Sequence, residues 1–194
     1  FGYMFGDVGQ GLVLVVAGVL LRRRVDAARL AIAGGASAMV FGVLFGSVFG
    51  LEGVIPALWL HPLAHPMTVL AVPLGFGVLL LSAGQLLAGL GALWRGELRR
   101  WLTMDLGFLV FYLGLVGVLA GQPAGAVLAL GLLWYVTGAL AVHRRLVAAL
   151  AAAGHLLESG LQLLVNTLSF ARVGAFALAH AALSDAMVTM AKVP

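Results

Sequence analysis

The 194-residue sequence contains no cysteine and few charged residues. Without cysteine, the chain can form no disulfide and offers no thiolate for catalysis or metal binding. Only 9% of the residues are charged, whereas 63% are hydrophobic. This composition is typical of a protein that crosses the membrane several times as helices. We therefore predict an all-α fold, a polytopic transmembrane helical bundle integral to the membrane.

The sequence also lacks the patterns of several kinds of site. It contains no HExxH motif and no Ser/His/Asp constellation, which disfavours a membrane protease. The first stretch, FGYMFGDVGQG, has the wrong glycine order for a dinucleotide fingerprint, and its glycines around Asp7 instead predict a tight turn or closely packed backbone. His61 and His65 have no further ligands nearby. We predict no cofactor, no metal and no nucleotide site in this chain.

The formal net charge of +4 could suggest nucleic acid, but the positions of the charges argue against it. Nine of the eleven basic residues fall in three clusters, and the segments Glu52–Pro66 and Gly121–Gly125 between apolar runs have none. The clusters are Arg22, Arg23, Arg24 and Arg29; Arg95, Arg99 and Arg100; and Arg144 and Arg145. This alternation is the positive-inside pattern of membrane proteins. We therefore expect lipid contacts and no nucleic acid.

The apolar runs predict membrane spans over approximately residues 6–21, 30–51, 67–94, 101–120, 126–142 and 148–190. In the second span, Gly42, Gly46 and Gly50 lie four apart, a spacing that lets two membrane helices approach closely. The last span contains His155–Met190, which as a straight helix would reach about 54 Å. A hydrocarbon layer is about 30 Å thick. We therefore expect a long final helix, ending near Lys192, that is strongly tilted, broken or projecting from the membrane.

Gln85 and Asp105 are two polar residues of particular interest in the other apolar runs. We expect Gln85 to form a hydrogen bond between helices. Asp105 lies one turn into its apolar run, and two interpretations remain open. The favoured one is an ion pair with Arg99 or Arg100, and the alternative is an aqueous inlet lined by the carboxylate.

A polar stripe runs along the last span. At about 100° per residue, its members fall within about a third of the circumference, whereas most other residues of the helix are apolar. The stripe contains His155, Glu158, Gln162, Asn166, Ser169, Arg172, His180 and Ser184.

Arg172 is the most costly member of this stripe. An arginine at the bilayer centre costs about 2.5–3.5 kcal/mol on insertion scales, and an arginine does not lose its proton in proteins. No acidic residue lies one turn away, because Leu168, Ser169, Ala175 and Phe176 occupy those positions. The stripe must therefore face a partner, a water-filled cleft, or both. A structural ion pair with an acid on a neighbouring helix is the alternative to a functional role.

The block GLQLLVNTLSFARVGAFALAHAAL resembles the penultimate membrane helix of subunit I, the a-type subunit of V-type and A-type rotary ATPases and ATP synthases. The stretches FGYMFGDVGQG and FGVLFGSVFG resemble the preceding membrane segments of that family, in the same order. The resemblance implies a membrane-domain fragment. It lacks the family's soluble N-terminal domain and its last transmembrane helix, which carries a second essential arginine.

The resemblance also implies roles for single residues. Arg172 matches the stator arginine that faces a rotor ring of small proteolipid subunits bearing buried carboxylates. Glu158, about 21 Å away by helix rise, matches an acid lining an aqueous half-channel, and His180, about 12 Å beyond Arg172, matches a histidine near the ion path. Gln162, Asn166 and Ser169 join the proton path from the helical wheel alone.

The expected function is therefore that of a proton-translocating stator subunit in a prokaryotic plasma membrane. H⁺ is favoured over Na⁺ because the stripe offers no cage of oxygen ligands. Peripheral stalk subunits would bind through the missing soluble domain. A secondary transporter and a structural membrane scaffold are the alternatives. Transporters usually show paired repeats with broken helices, and no second copy of the stripe is present; a scaffold would leave Arg172 unexplained.

Overall fold

The computed structural model describes residues 1–23, 25, 27–52, 54–143 and 146–191, and these residues are mainly helical. Four predicted features, Arg24, Arg144, Arg145 and the helix end at Lys192, lie outside them. The elements in chain order are α1 (Val8–Leu21), α2 (Ala28–Phe45), β1 (Ser47–Val48), β2 (Leu51–Glu52), α3 (Pro66–Trp94), α4 (Leu98–Arg100), a π-helical turn (Trp101–Asp105), α5 (Leu106–Leu119), α6 (Gly125–His143), α7 (Leu146–Ser169) and α8 (Ala171–Ala191).

Four helical stretches are long and apolar enough to cross a membrane. They are Ala28–Phe45, Pro66–Trp94, Leu98–Leu119 and Ala151–Ala191. Two shorter apolar helices cover Val8–Leu21 and Gly125–Ala141. The predicted fold class, a polytopic helical membrane bundle, is confirmed.

Two of the predicted spans differ from the helices that the structure contains. Helix α2 ends at Phe45 rather than at Leu51, because Gly46 takes a left-handed conformation with φ of 72° and stops the helix. The residues after it form an antiparallel hairpin, β1–β2. The long last span is divided at Phe170 into α7 and α8. Of the three expectations for this span, which were a tilted, a broken or a projecting helix, the structure shows the broken helix.

The chain divides into two compact units. Unit 1 comprises the described residues of 1–75 and of 169–194, and unit 2 comprises those of 76–168. The candidate residues are therefore distributed between both units. Glu158, Gln162 and Asn166 belong to unit 2, whereas Arg172 and His180 belong to unit 1.

Unit 1 is built on the close approach of α1 and α2. A Cβ atom added to Gly11 would lie 2.7 Å from the carbonyl oxygen of Gly35, and one added to Gly42 would lie 2.7 Å from the carbonyl carbon of Asp7. Only glycine allows these backbones to be so close. The predicted packing role of Gly42 is therefore confirmed, whereas Gly46 and Gly50 lie after the last residue of α2 and take positive φ, of 72° and 74°.

The core of unit 1 lies beside this helix pair. It is formed by Tyr3, Phe45, Leu60, Val69 and Ala177. The Tyr3 hydroxyl donates a 2.9 Å hydrogen bond to the carbonyl oxygen of Val69. Because Val69 is in α3 and Ala177 is in α8, this core holds α8 in place within the unit.

The core of unit 2 is formed by Phe108, Phe111, Tyr135 and Leu156. Helices α5 and α6 approach closely at Gly107, where an added Cβ atom would lie 2.9 Å from the backbone nitrogen of Tyr135. Helix α7 contributes Leu156, which is fully buried. Its position in this core decides which face of α7 remains exposed.

Candidate functional site

The polar residues of α7 share one exposed face of unit 2. Glu158, Gln162 and Asn166 are all exposed. On the helical wheel they lie within about 80° of one another. The α7 part of the predicted stripe therefore lies on one face of the helix, which the other described residues of unit 2 leave exposed.

The opposite face of α7 fixes this orientation. Leu156, Gly160 and Thr167 are buried, and they lie about 160–200° around the axis from Glu158. A Cβ atom at Gly160 would lie 2.8 Å from the ring of Phe111. Only glycine therefore leaves enough space for this ring to pack against α7. The apolar and small residues of α7 thus pack inward, and the stripe points away from its own unit.

A buried polar contact locks α7 further. The hydroxyl oxygens of Tyr112 and Thr167 are 2.6 Å apart. Thr167 donates its hydroxyl proton to the carbonyl oxygen of Leu163 at 2.8 Å. Tyr112 must therefore be the donor to Thr167, and this fixes the rotation of α7 about its axis.

Arg172 is exposed on α8, in unit 1. The buried residues of this helix, Gly174 and Ala177, lie about 200° and 140° around the axis from it. A Cβ atom at Gly174 would lie 2.6 Å from the carbonyl oxygen of Val69, so α8 packs closely on α3 by the face opposite Arg172. The guanidinium is thereby held on the outward face.

Within the described part of the chain, no acid lies at ion-pair distance from Arg172. The ion pair found there joins Arg95 to Glu97 at 3.6 Å, and both side chains are largely exposed. An internal ion pair, the structural alternative for Arg172, is therefore not observed among these residues.

His180 lies on α8 in a different environment from Arg172. Its ring is partly buried and makes an edge-to-face contact with Phe5, with ring centroids 5.6 Å apart. Its Nε2 atom is buried and has no hydrogen-bond partner among the described residues. Ser169, at the end of α7, is exposed. The predicted residues therefore lie on two helices, α7 and α8, and belong to two different units.

Asp7 forms a buried hydrogen-bond network that the sequence analysis did not predict. Its side chain is fully buried, and the two carboxylate oxygens accept four hydrogen bonds. The donors are the backbone N–H groups of Gln10, Phe49 and Gly50 and the hydroxyl of Ser47, at 2.7–2.9 Å. A signal was present, because an aspartate before an apolar helix is a typical N-cap. The contacts to the hairpin carried no sequence signal.

Unit 2 contains a polar cavity of about 330 Å³ near the basic cluster of α3 and α4. Its lining includes Gln85, Arg100, Asp105 and His155. Asp105 and Arg100 thus share a cavity, although in the described residues the aspartate makes no direct ion pair with Arg99 or Arg100. Gln85 lines this cavity, and the predicted hydrogen bond between helices is not observed for it among the described residues. A direct ion pair of Asp105 is therefore not observed, and the aqueous inlet stays a prediction.

Comparison with known proteins identifies one relative. The chain is 33% identical over 104 residues to A-type ATP synthase subunit I of Halobacterium salinarum. The match covers 43% of this chain and 14% of the relative, so the chain spans a small part of that protein. No protein-family model matches the chain. The relative confirms the resemblance to subunit I on which the sequence interpretation depended.

Proposed function

We propose that this chain forms part of the ion-conducting stator of a rotary ATPase or ATP synthase. It would lie in a prokaryotic plasma membrane against a rotor ring of small proteolipid subunits. Peripheral stalk subunits would be further partners, and nucleotide chemistry would take place in other subunits. The name of the relative, an ATP synthase subunit, supports this assignment.

The observation that carries the proposal is the position of Arg172. Its guanidinium lies on the exposed face of an apolar helix, opposite the packed face marked by Gly174 and Ala177. Exposed to lipid, such a charge would cost several kcal/mol, because the hydrocarbon layer supplies no counter-charge. A carboxylate arriving from another subunit would remove that cost.

The fixed charge would act as a gate. A carboxyl group in lipid stays protonated, because burial disfavours its charged form. Beside the guanidinium it ionises and releases its proton. It cannot pass Arg172 protonated, and Arg172 cannot carry a proton itself. Protons would therefore cross only when the ring rotates and connects the two half-channels.

The polar face of α7 would supply one half-channel. Glu158, Gln162 and Asn166 form a continuous exposed surface on unit 2, and each can bind water. Ser169 lies at the end of this helix, where it adds a hydroxyl. His180 would serve near the ion path on α8. The transported ion would be H⁺, because this surface offers too few oxygen ligands to enclose Na⁺.

Proton pumping by the reconstituted complex tests the proposal. Arg172→Ala should reduce ATP-driven proton uptake to background while the variant still assembles with the ring. Arg172→Lys should also pump poorly, because a desolvated lysine loses its proton more readily than arginine. Arg29→Ala, which removes an exposed arginine at the start of α2, is the matched control and should pump normally. Coupled pumping by Arg172→Ala at the control's rate would refute the gate.

A further inference from the structure

Unit 1 encloses a small cavity between the hairpin β1–β2 and α8. Its volume is about 20 Å³, which is enough for one water molecule. Its polar lining comes from Ser47, His180 and Ser184, and its apolar lining includes Phe45 and Ala177. All of these residues belong to unit 1.

The lining contains an unsatisfied polar atom. His180 Nε2 is buried and makes no hydrogen bond to any described residue. Leaving a buried nitrogen without a partner is costly, because the atom has lost its hydrogen bonds to water and gained none from the protein. A neutral imidazole nitrogen either donates or accepts one hydrogen bond, according to its tautomer. Water can satisfy either form.

The remaining partners of such a water are held in place. Ser47 donates its hydroxyl proton to Asp7 at 2.9 Å, so its oxygen is left to accept a hydrogen bond from the cavity. Ser184 packs closely on Gly50, where an added Cβ atom would lie 2.9 Å from the Ser184 Cβ atom. The cavity therefore combines a suitable size with three convergent polar side chains, the arrangement in which buried water is usually found.

We infer that unit 1 contains a binding site for a single internal water, formed by His180, Ser184 and Ser47. Asp7 is a positioning residue for this site, because it orients Ser47 and closes the hairpin. In the context of the proposed function, on which this step rests, the site hydrates the His180 end of the proton path. At this point the proton path contains a single water molecule. A side chain that fills the cavity should therefore block proton transfer.

A density map of the assembled complex tests the site directly. At a resolution that shows ordered buried water, density for one water should lie within hydrogen-bond distance of His180 Nε2. Ser184→Val, which replaces the hydroxyl by a methyl group and adds a second methyl group on Cβ, should fill the cavity and remove this density. It should slow proton transport by about tenfold, the effect expected from losing one buried hydrogen bond along the path. Thr189→Val removes a hydroxyl from an exposed position of α8 and should change neither result.

A dry cavity at that resolution, or a His180 ring whose Nε2 atom bonds to protein instead, would overturn the inference. Unchanged transport in a Ser184→Val complex that has lost the water would overturn its place in the proton path. These failures are distinguishable from failure of the stator proposal. If Arg172→Ala still pumps, the stator proposal is lost, but the water density is unaffected.

Discussion

The carboxylate of Asp7 accepts a 2.7 Å hydrogen bond from the backbone N–H of Gly50. The same carboxylate accepts a bond from the N–H of Phe49. Both donors have positive φ, of 50° and 74°, in the two-residue turn of the hairpin. Such a turn matches the twist of paired strands, but a left-handed conformation is unfavourable for phenylalanine. Asp7 therefore stabilises a turn that the local sequence does not favour.

Replacing this carboxylate should destabilise unit 1. Asp7→Asn substitutes an amide donor for one acceptor oxygen, so two of the four donors around it lose their partner. We expect a loss of about 2–4 kcal/mol and a lower midpoint of thermal unfolding in detergent. Asp185→Asn, at an exposed acid of α8, is the control and should have little effect. Equal midpoints for the two variants would contradict the role of Asp7.

A second prediction concerns the packing of α8. Gly174→Ala would place a methyl group 2.6 Å from the carbonyl oxygen of Val69, and the helix would have to move. Overpacking of this kind costs about 1–3 kcal/mol. Gly154→Ala on α7 is the matched control, because no described atom beyond its own turns of helix lies within 4 Å of the added Cβ. It should be neutral or stabilising by about 0.5–1 kcal/mol. Thermal unfolding of both variants checks this, and a harmless Gly174→Ala would argue against the close approach.

A third prediction concerns the donor in the Tyr112–Thr167 contact. Tyr112→Phe removes the donor and should cost about 1 kcal/mol, because Thr167 keeps its bond to Leu163. Thr167→Val should cost more, about 1–3 kcal/mol, because it leaves a buried hydroxyl of Tyr112 unpaired. The double variant should be less destabilised than the sum of the two. Additive losses would indicate that the two hydroxyls do not interact.

Membrane topology is tested by cysteine labelling, which the natural absence of cysteine simplifies. Glu97 and Gln122 are exposed at either end of the stretch Leu98–Leu119, which is long enough to span the membrane. Glu97→Cys should react with an impermeant maleimide only from the cytoplasmic side, and Gln122→Cys only from the opposite side. His61→Cys should behave as Gln122→Cys. Labelling of both ends from one side would show that this helix does not span the membrane.

Much of the fold followed from the sequence because apolar length and charge alternation are strong signals. The predicted spans at 67–94 and 126–142 match α3 and α6 closely. The end of α2 was missed because Gly46 was assigned to helix packing, whereas it takes the left-handed conformation that ends the helix. Glycine serves both purposes, and spacing alone does not distinguish them.

The placement of the polar residues on α7 also followed from the sequence. The period of the helix placed Glu158, Gln162 and Asn166 on one face, and the structure leaves that face exposed. The contact between Tyr112 and Thr167 joins residues 55 positions apart, and the contact between Asp7 and Gly50 joins residues 43 apart. Periodicity reports only on residues within one helix, so it gives no information about either pair.

The most direct test of the account is a density map of the assembled complex around Arg172, because the account depends on what meets this guanidinium. We predict that it faces a rotor-ring carboxylate across the exposed side of α8, with no acid of its own subunit within ion-pair distance. A guanidinium paired with an acid of the same polypeptide, and sealed from the ring, would contradict the account.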